Sequence, residues 1–539
     1  MSTYRYKILS LILLLACGTA SAQTDYSLRI RSLSEHLAGL VDDPLTDVFL
    51  NPARLGAFER FELYGTRLPG KSIEFPFRIP SSAYFHDELQ ESYSLSTGYE
   101  PIVLSSFIPG NERALSIGVE VDWEGYDQAD RQFRYRPETD PVDGIERSSY
   151  AWERASDTKH VLLDLSGATF GKAHYGFRVT ASHDSYQRTE LNTDISALVE
   201  IGPQLNVSSN VAAIIYFPEA ERTNIQAALG MVRPEKRITD IVVGGGLCRQ
   251  LISVLAVASH VSDNDADRNG IGYGGEPVRY YYREYRYDSN RDYLGYRLFS
   301  RVHWQIMKGL RATHFASWER LEGDGQAAYT FDKKQYLAGN FSEITGERLS
   351  YSYDGTVSWL HANTSFGYME KIHENFHVIF GIRGVYAWRR FEEGNGGDAS
   401  LFLFEYQSGG SPDSVSLASV YMQKHDAVRE VYKLFLPVAC EWKVHKFVTL
   451  RAGIVFVATR DDNKVNTHRS LEAVDIESLF PGATFEMDYD ITHETFAHFN
   501  NGIEVNISEK LILDLLATTY YKSSIHLADY AYLSVRYRF

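Results

Sequence analysis

The 539-residue chain has only three cysteines, Cys17, Cys248 and Cys440. Cys17 lies in the N-terminal leader. The other two stand far apart without metal-ligand spacing, so no zinc centre or disulfide framework organises the chain. A Cys248–Cys440 disulfide is the one pairing that an oxidising compartment leaves open. Proline and methionine are scarce, at 16 and 6 residues. Past the leader no apolar run approaches the roughly 20 residues of a spanning helix, which excludes a helical membrane protein. The net charge is -16 and there is no basic tail or patch, which argues against a nucleic-acid partner. His314, His361, His468, His498 and His526 are scattered, and none sits in a nucleophile motif. No catalytic residue is therefore assigned, and an enzyme is not expected. The acidic run Asp263, Asp265, Asp267 is followed by Arg268 where an EF-hand loop needs glycine, and Gly274 stands where it needs glutamate. That run reads as a solvated loop, and no metal or cofactor is expected.

What is present in excess is aromatic and small: 36 Tyr, 29 Phe and 40 Gly. Tyrosine suits the aromatic girdles of a membrane barrel, and glycine suits curved strands and tight turns. The last ten residues, YAYLSVRYRF, alternate strictly. Leu533, Val535, Tyr537 and Phe539 fall on an apolar side with Ala531, while Ser534, Arg536 and Arg538 fall on a polar one. An aromatic strand ending on a free C-terminal phenylalanine resembles the assembly signal of bacterial outer-membrane barrels, which implies the barrel-assembly machinery as a partner.

The same alternation recurs upstream. Tyr296, Leu298, Val302, Trp304 and Ile306 oppose Arg297, Arg301, His303 and Gln305. Phe376, Val378, Phe380, Ile382, Tyr386 and Trp388 oppose His377, Arg383 and Ala387, and Val448 to Ala458 oppose Thr449, Arg451 and Gly453. Leu511, Leu513, Leu515 and Ala517 oppose Asp514. Charge sits on one face only. An arginine facing lipid at the midplane costs about 2–4 kcal/mol, so the charged faces are assigned to the lumen. Small polar replacements at Thr449 or Gly453 are expected to be tolerated there. The lumenal cations would form either an anion-selecting stripe or a polar core paired with Glu441, Asp514 and N-terminal carboxylates.

Short links at Pro109–Glu112, Phe170–Ala173, Arg249, Lys308–Gly309, Lys371–Asn375, Lys443–Lys446 and Ser508–Glu509 alternate with long polar links. The long ones span Glu124–Lys159, Val261–Leu294, Leu321–Tyr353, Glu392–Glu430 and Asp461–His493. This rhythm predicts an all-β, transmembrane antiparallel β-barrel. The count is about 18 strands, with Ile195–Leu205 taken as loop to keep the number even. It falls to 14 or 16 if Phe58–Arg67 or a hairpin near Arg237–His260 is discounted. The aromatic-basic stretch Arg279–Tyr287 reads either as a contact for lipopolysaccharide or as strand extending above the membrane.

At the other end, Arg5 and Lys7 precede the apolar run Ile8–Ala16, and Ala20-Ser21-Ala22 gives a cleavage pattern before Gln23. The rival reading makes Cys17 an acylated residue. Either way the chain is exported. Thr24–Leu40 has roughly helical apolar spacing. Asp42–Gly56 follows, with Pro44 and Pro52 restricting the residues before them to extended geometry. Its Asp and Asn side chains are suited to bonding the local backbone.

This segment, with Asp42, Asp43 and Asp47 before Asn51, Pro52, Ala53 and Leu55, resembles the start of FadL-type outer-membrane transporters. The resemblance implies an N-terminal plug inside the barrel and a cargo of hydrophobic compounds such as fatty acids. The chain is longer than is usual in that family, the strand count exceeds its fourteen, and no ligand-binding residue carries over. The expected organisation is a leader at 1–22, a plug segment with a helix at 23–57 and a barrel at 58–539. The expected setting is the bacterial outer membrane, with its lipid and lipopolysaccharide. The expected role is a channel or transporter for small hydrophobic or amphipathic molecules. The alternative is a non-transporting barrel that anchors a secretion or surface-attachment system.

Overall fold

The structure is a computed structural model that describes residues 27–67, 73–74, 88–110, 112–137, 145–201, 205–233, 238–263, 279–337, 340–394, 399–407, 413–417, 420–472, 484–521 and 530–539. The leader, with Cys17 and the cleavage pattern, lies outside the described residues, as do Asp265, Asp267 and Gly270.

The described strands form one antiparallel sheet closed on itself. Its wall comprises β1 (Glu62–Arg67), β3 (Glu88–Ile108), β4 (Arg113–Pro137), β5 (Ile145–Thr169), β6 (His174–Ile201) and β7 (Leu205–Val232). It continues through β8 (Ile238–Asp263), β9 (Arg279–Met307), β10 (Leu310–Leu337), β11 (Asn340–His373) and β12 (Phe376–Gly394). It ends with β15 (Val420–His445), β16 (Val448–Glu472), β17 (Thr484–Asn506), β18 (Leu511–Tyr521) and β19 (Tyr530–Arg538). The ring closes because β1 pairs with β19 on one side (Glu62 opposite Arg538) and with β3 on the other (Glu62 opposite Phe107). That gives a closed 16-strand barrel. Three short strands lie outside the ring: β2 (Ile73–Glu74), β13 (Ala399–Gln407) and β14 (Asp413–Leu417). β13 pairs with β11 where β12 has ended, and β14 pairs with β13.

The expected count of 18 is corrected to 16, one of the lower counts left open. Arg249 is not a turn, because Ile238–Asp263 is a single strand paired along its length with β7 and β9. Ile195 is not loop either, since it pairs with Ser149 and Val211. The runs read as long polar links are largely strand as well. β11 alone has 34 residues, against the ~9–11 that cross a bilayer. Water places no apolar demand on a strand beyond the membrane, so polar residues continue the ladder there. Arg279–Tyr287 is such an extension, at the start of β9.

Side chains alternate as the period-two reading requires. On β9, Leu294 (62 % exposed), Tyr296 and Leu298 point outward, while Tyr293, Arg291 and His303 are buried. On β16, Leu450 and Phe456 are exposed, while Thr449, Arg451, Val455 and Val457 are buried. The outward apolar residues, such as Leu163, Leu229, Leu247, Phe380, Ile382 and Leu515, gather toward the end of the barrel that carries the short turns. One of those turns joins Met307 to Leu310, with Gly309 at a φ of 82°. A glycine suits that tight link because left-handed backbone costs it nothing. Val535, Tyr537 and Phe539 are exposed on β19, and Ser534 is buried. Phe539 donates its backbone N–H to the Phe61 carbonyl (3.0 Å) and sets its ring against Phe61 and Tyr537. Cys248 and Cys440 are both free thiols.

Candidate functional site

Residues 27–58 form two short helices and two 3-10 turns whose apolar side chains are nearly all buried. Helix α1 (Leu28–Leu33) starts at Ser27, whose hydroxyl accepts the Ile30 N–H. Helix α2 (Pro44–Leu50) starts at Asp43, whose carboxylate accepts the Thr46 N–H at 3.0 Å, with Pro44 in the first turn where its missing N–H costs nothing. Asp43 and Asn51 both have extended backbones, as the prolines after them dictate. The Asn51 side chain then accepts the Ala53 N–H at 3.0 Å and starts a 3-10 turn over Pro52–Ala57.

This segment touches opposite walls of the ring. Ile30, Leu33, Leu37, Leu40 and Val41 pack with Ile379 of β12 and Ala439 of β15. Leu45, Val48, Leu55 and Phe58 pack with Tyr64, Phe107 and Ala168 of β1, β3 and β5. A short segment can reach both walls of a closed barrel at once only from inside it. Two glycines mark how close it comes. A Cβ on Gly453 would stand 1.8 Å from the Leu33 carbonyl oxygen, and one on Gly176 would stand 2.3 Å from the Ala53 nitrogen. The expectation that Gly453 tolerates a small polar side chain is therefore corrected. Its inner face is filled by α1 rather than by water.

Ion pairs fasten the segment. Arg29 donates to both oxygens of Glu441 at 2.9 and 3.1 Å. Glu441 also accepts from Arg451 at 2.9 Å, and Arg451 reaches Asp514 at 2.8 Å and Glu504 as well. Arg54 donates to Asp240 of β8 at 2.8 Å, and Arg311 of β10 pairs with Asp42. Asn51 donates to the Met231 carbonyl at 3.3 Å. The last carbonyls of α2 are also taken. Phe49 accepts from Arg178 at 2.7 Å and Leu50 from Arg301 at 3.1 Å, so two wall arginines cap the helix end that a carbonyl dipole makes negative.

Two small cavities lie where α2 meets the wall. The first, about 50 Å³, is lined by Asp42, Asp47, Arg54, Asp240, Arg301 and Arg311, among others that include His303 and Arg383. The second, about 100 Å³, is lined by Phe49, Phe299, Phe315, Arg178, Arg297 and Arg301, among others that include Pro52. Asp47 lines the first cavity. Withdrawal from water pushes its carboxyl up to about 7, opposed by Arg54 and reinforced by Asp43, Asp42 and Asp240. His36 stacks on Phe435 at 3.8 Å. Burial, with Arg383 and His498 nearby, holds its imidazole well below the usual range and hence neutral.

Of the lumen residues read from sequence, Arg297, Arg301, His303 and Arg383 meet at the cavities, and Arg451 and Asp514 meet in the ion-pair network. His377 stands apart, opposite Glu441 in the β12–β15 register. Arg536 is half-buried near Glu504 and Asp514. Arg29, Arg54, Arg178, Arg311, Asp240 and the phenylalanines were not singled out from sequence. Arg311 was within reach, since Arg311, Thr313, Phe315, Ser317 and Glu319 alternate with the outward residues of β10.

Farther from the short turns, the inner face of β7–β12 changes character. Tyr216, Cys248, Ile252, Val254, Tyr293, Leu321, Val357 and Phe391 form one buried apolar cluster. Between it and the cavities lies a polar belt that includes the Arg222–Glu319 pair at 2.6 Å.

The strands define a closed 16-strand antiparallel β-barrel, with residues 27–58 packed against strands on two sides of the ring. No family model and no curated protein matches the chain. Solved structures are similar to it at low identity. The toluene transporter TbuX of Ralstonia pickettii is 12% identical over 92% of this chain and 93% of its own, with a TM-score of 0.27. The toluene transporter TodX of Pseudomonas putida is 10% identical over 79% and 88%, with a TM-score of 0.25. The ferric yersiniabactin uptake receptor FyuA of Yersinia pestis is 8% identical over 88% and 80%, with a TM-score of 0.24. At these TM-scores the overlays add nothing to the strand pairing and contacts above.

Proposed function

We propose that the chain is an outer-membrane channel for small hydrophobic or amphipathic molecules, with residues 27–58 as the plug of its lumen. The observation that carries this reading is the inner wall itself. A pore for ions or sugars is lined by polar groups throughout, whereas here an apolar cluster on β7–β12 stands roughly 20 Å along the strands from the cavities at the plug, at about 3.3 Å per residue. Both ends of the plug are fastened, the α1 end to β15–β18 through Arg29, Glu441 and Arg451 and the α2 end through Arg54–Asp240, Arg311–Asp42 and the Arg178 and Arg301 caps, but both cavities lie at the α2 end against β8–β11. Movement at the α2 end would join the cavities to the apolar wall without releasing the α1 end. The outward apolar band supports a bilayer setting, since so large an apolar surface is not left in water. The leader at 1–22, the outer-membrane location, the lipopolysaccharide contacts and the barrel-assembly machinery belong to the same proposal. No observation among the described residues favours the anchor reading.

The test is solute flux in liposomes. Replacing Asn51 and Pro52 together by alanine should raise the permeation of a small apolar solute and leave the folded, heat-modifiable barrel intact. If folded variant and wild type pass every small solute equally, transport gated by this segment is wrong.

A further inference from the structure

The larger cavity has a chemistry more specific than a hydrophobic path requires. Its lining brings together three guanidiniums, Arg178, Arg297 and Arg301, and three aromatic rings, Phe49, Phe299 and Phe315. Arg178 is itself paired with the buried Asp164 at 3.0 Å, so a ligand would meet chiefly Arg297 and Arg301. Rings and cations are interleaved rather than segregated. The Arg178 guanidinium lies 5.5 Å from the Phe49 ring centroid, and that of Arg301 lies 5.3 Å from Phe315. Such a wall offers a face for a planar ring and, beside it, forked donors that match a carboxylate. The volume of about 100 Å³ corresponds to roughly seven to ten waters, at about 10–15 Å³ for one. That accommodates a single aromatic ring bearing a carboxylate.

We propose that this cavity is a binding site for small aromatic carboxylates of the benzoate class. The inference rests on the channel reading for its access route, but not for its chemistry. It also supplies a link to the plug. Arg178 and Arg301 are the groups that cap the Phe49 and Leu50 carbonyls at the end of α2. A carboxylate is a stronger acceptor than a peptide carbonyl, so a bound ligand competes with the plug for the same donors. Occupancy then weakens the contacts that hold the α2 end against the wall. Arg301 also lines the smaller cavity, so its displacement opens one space into the other.

The experiment is calorimetric titration of the full-length, detergent-folded barrel with benzoate, acetate, cyclohexanecarboxylate and toluene. Benzoate should bind at least tenfold more tightly than acetate, which has the charge without the ring. It should also bind several-fold more tightly than cyclohexanecarboxylate, which lacks the aromatic face. Arg301→Gln should weaken benzoate at least tenfold, Arg301→Lys should recover part of that loss, and Phe315→Leu should weaken it several-fold in a barrel that keeps its heat-modifiable mobility. Benzoate no tighter than acetate, or an Arg301→Gln barrel that binds benzoate as wild type does, overturns the site. Liposome flux separates this inference from the channel reading. Tight, Arg301-dependent binding without any flux upholds the site and sinks the channel, whereas flux of toluene with no benzoate binding does the reverse.

Discussion

Two buried groups, Asp47 and His36, set in opposite directions how the inner segment responds to pH. Asp47 sits in the first turn of α2 beside the smaller cavity, where loss of water and the nearby Asp43, Asp42 and Asp240 raise it from the ordinary 3.8 to about 7. The direction of the effect follows from linkage. Below pH about 4 the group is protonated whether the segment is docked or released. As pH rises from there to about 7, the released form ionises and the docked form does not, so docking weakens by up to about tenfold per pH unit; above that range no further loss occurs. His36, held neutral by burial, opposes this: below the ordinary 6.5 the released imidazole gains a proton that the docked one does not, so docking also weakens as pH falls. Asp47→Asn should therefore lower the ratio of protease cleavage within residues 27–58 at pH 8 to that at pH 5, because its amide cannot ionise. An unchanged ratio in Asp47→Asn would assign the sensitivity to another group.

At the scale of elements, β16 allows a comparison of its two faces. Gly453 faces α1 with no room for a side chain, while Ile454 points out of the barrel. Gly453→Val should expose the N-terminal segment to protease in a barrel that still folds. Ile454→Arg should leave the segment docked and destabilise the barrel by about 2–4 kcal/mol near the midplane, read by denaturant titration in lipid. Equal effects of both changes on both readouts would mean that the faces are misassigned. The faces themselves were legible in sequence wherever one side is lipid and the other lumen, as in Tyr296 and Leu298 against Arg297 and Arg301. They became illegible where charge appears on the outer side. Arg249 looked like a turn because it interrupts an apolar face. In the structure it pairs on the outside with Asp292 of the neighbouring strand at 2.7 Å, beyond the height at which lipid would forbid it. The extended backbones before Pro44 and Pro52 and the local bonds of Asp43 and Asn51 were readable because they are short-range. The partners of Arg29, Arg54, Arg178 and Arg311 were not. Each lies more than ten residues away, and several hundred for Arg29 with Glu441, and only ring closure brings them together.

For the whole molecule, closure depends on β19 meeting β1, where Arg538 donates to Glu62 at 2.9 Å and Phe539 bonds Phe61. β1 has six residues and β19 nine, and the two pair over only six positions, so removal of Phe539 should lower the yield of heat-modifiable barrel. A closed barrel of this strand number is wide enough to hold a water-filled channel, and in the proposed reading the N-terminal segment fills part of that space. The most direct measurement is planar-bilayer conductance of the full barrel beside one lacking residues 27–57. The full barrel should be nearly silent, and the shortened, correctly folded barrel should show stable open steps. Matching conductance from the two would contradict an inner segment that closes the lumen.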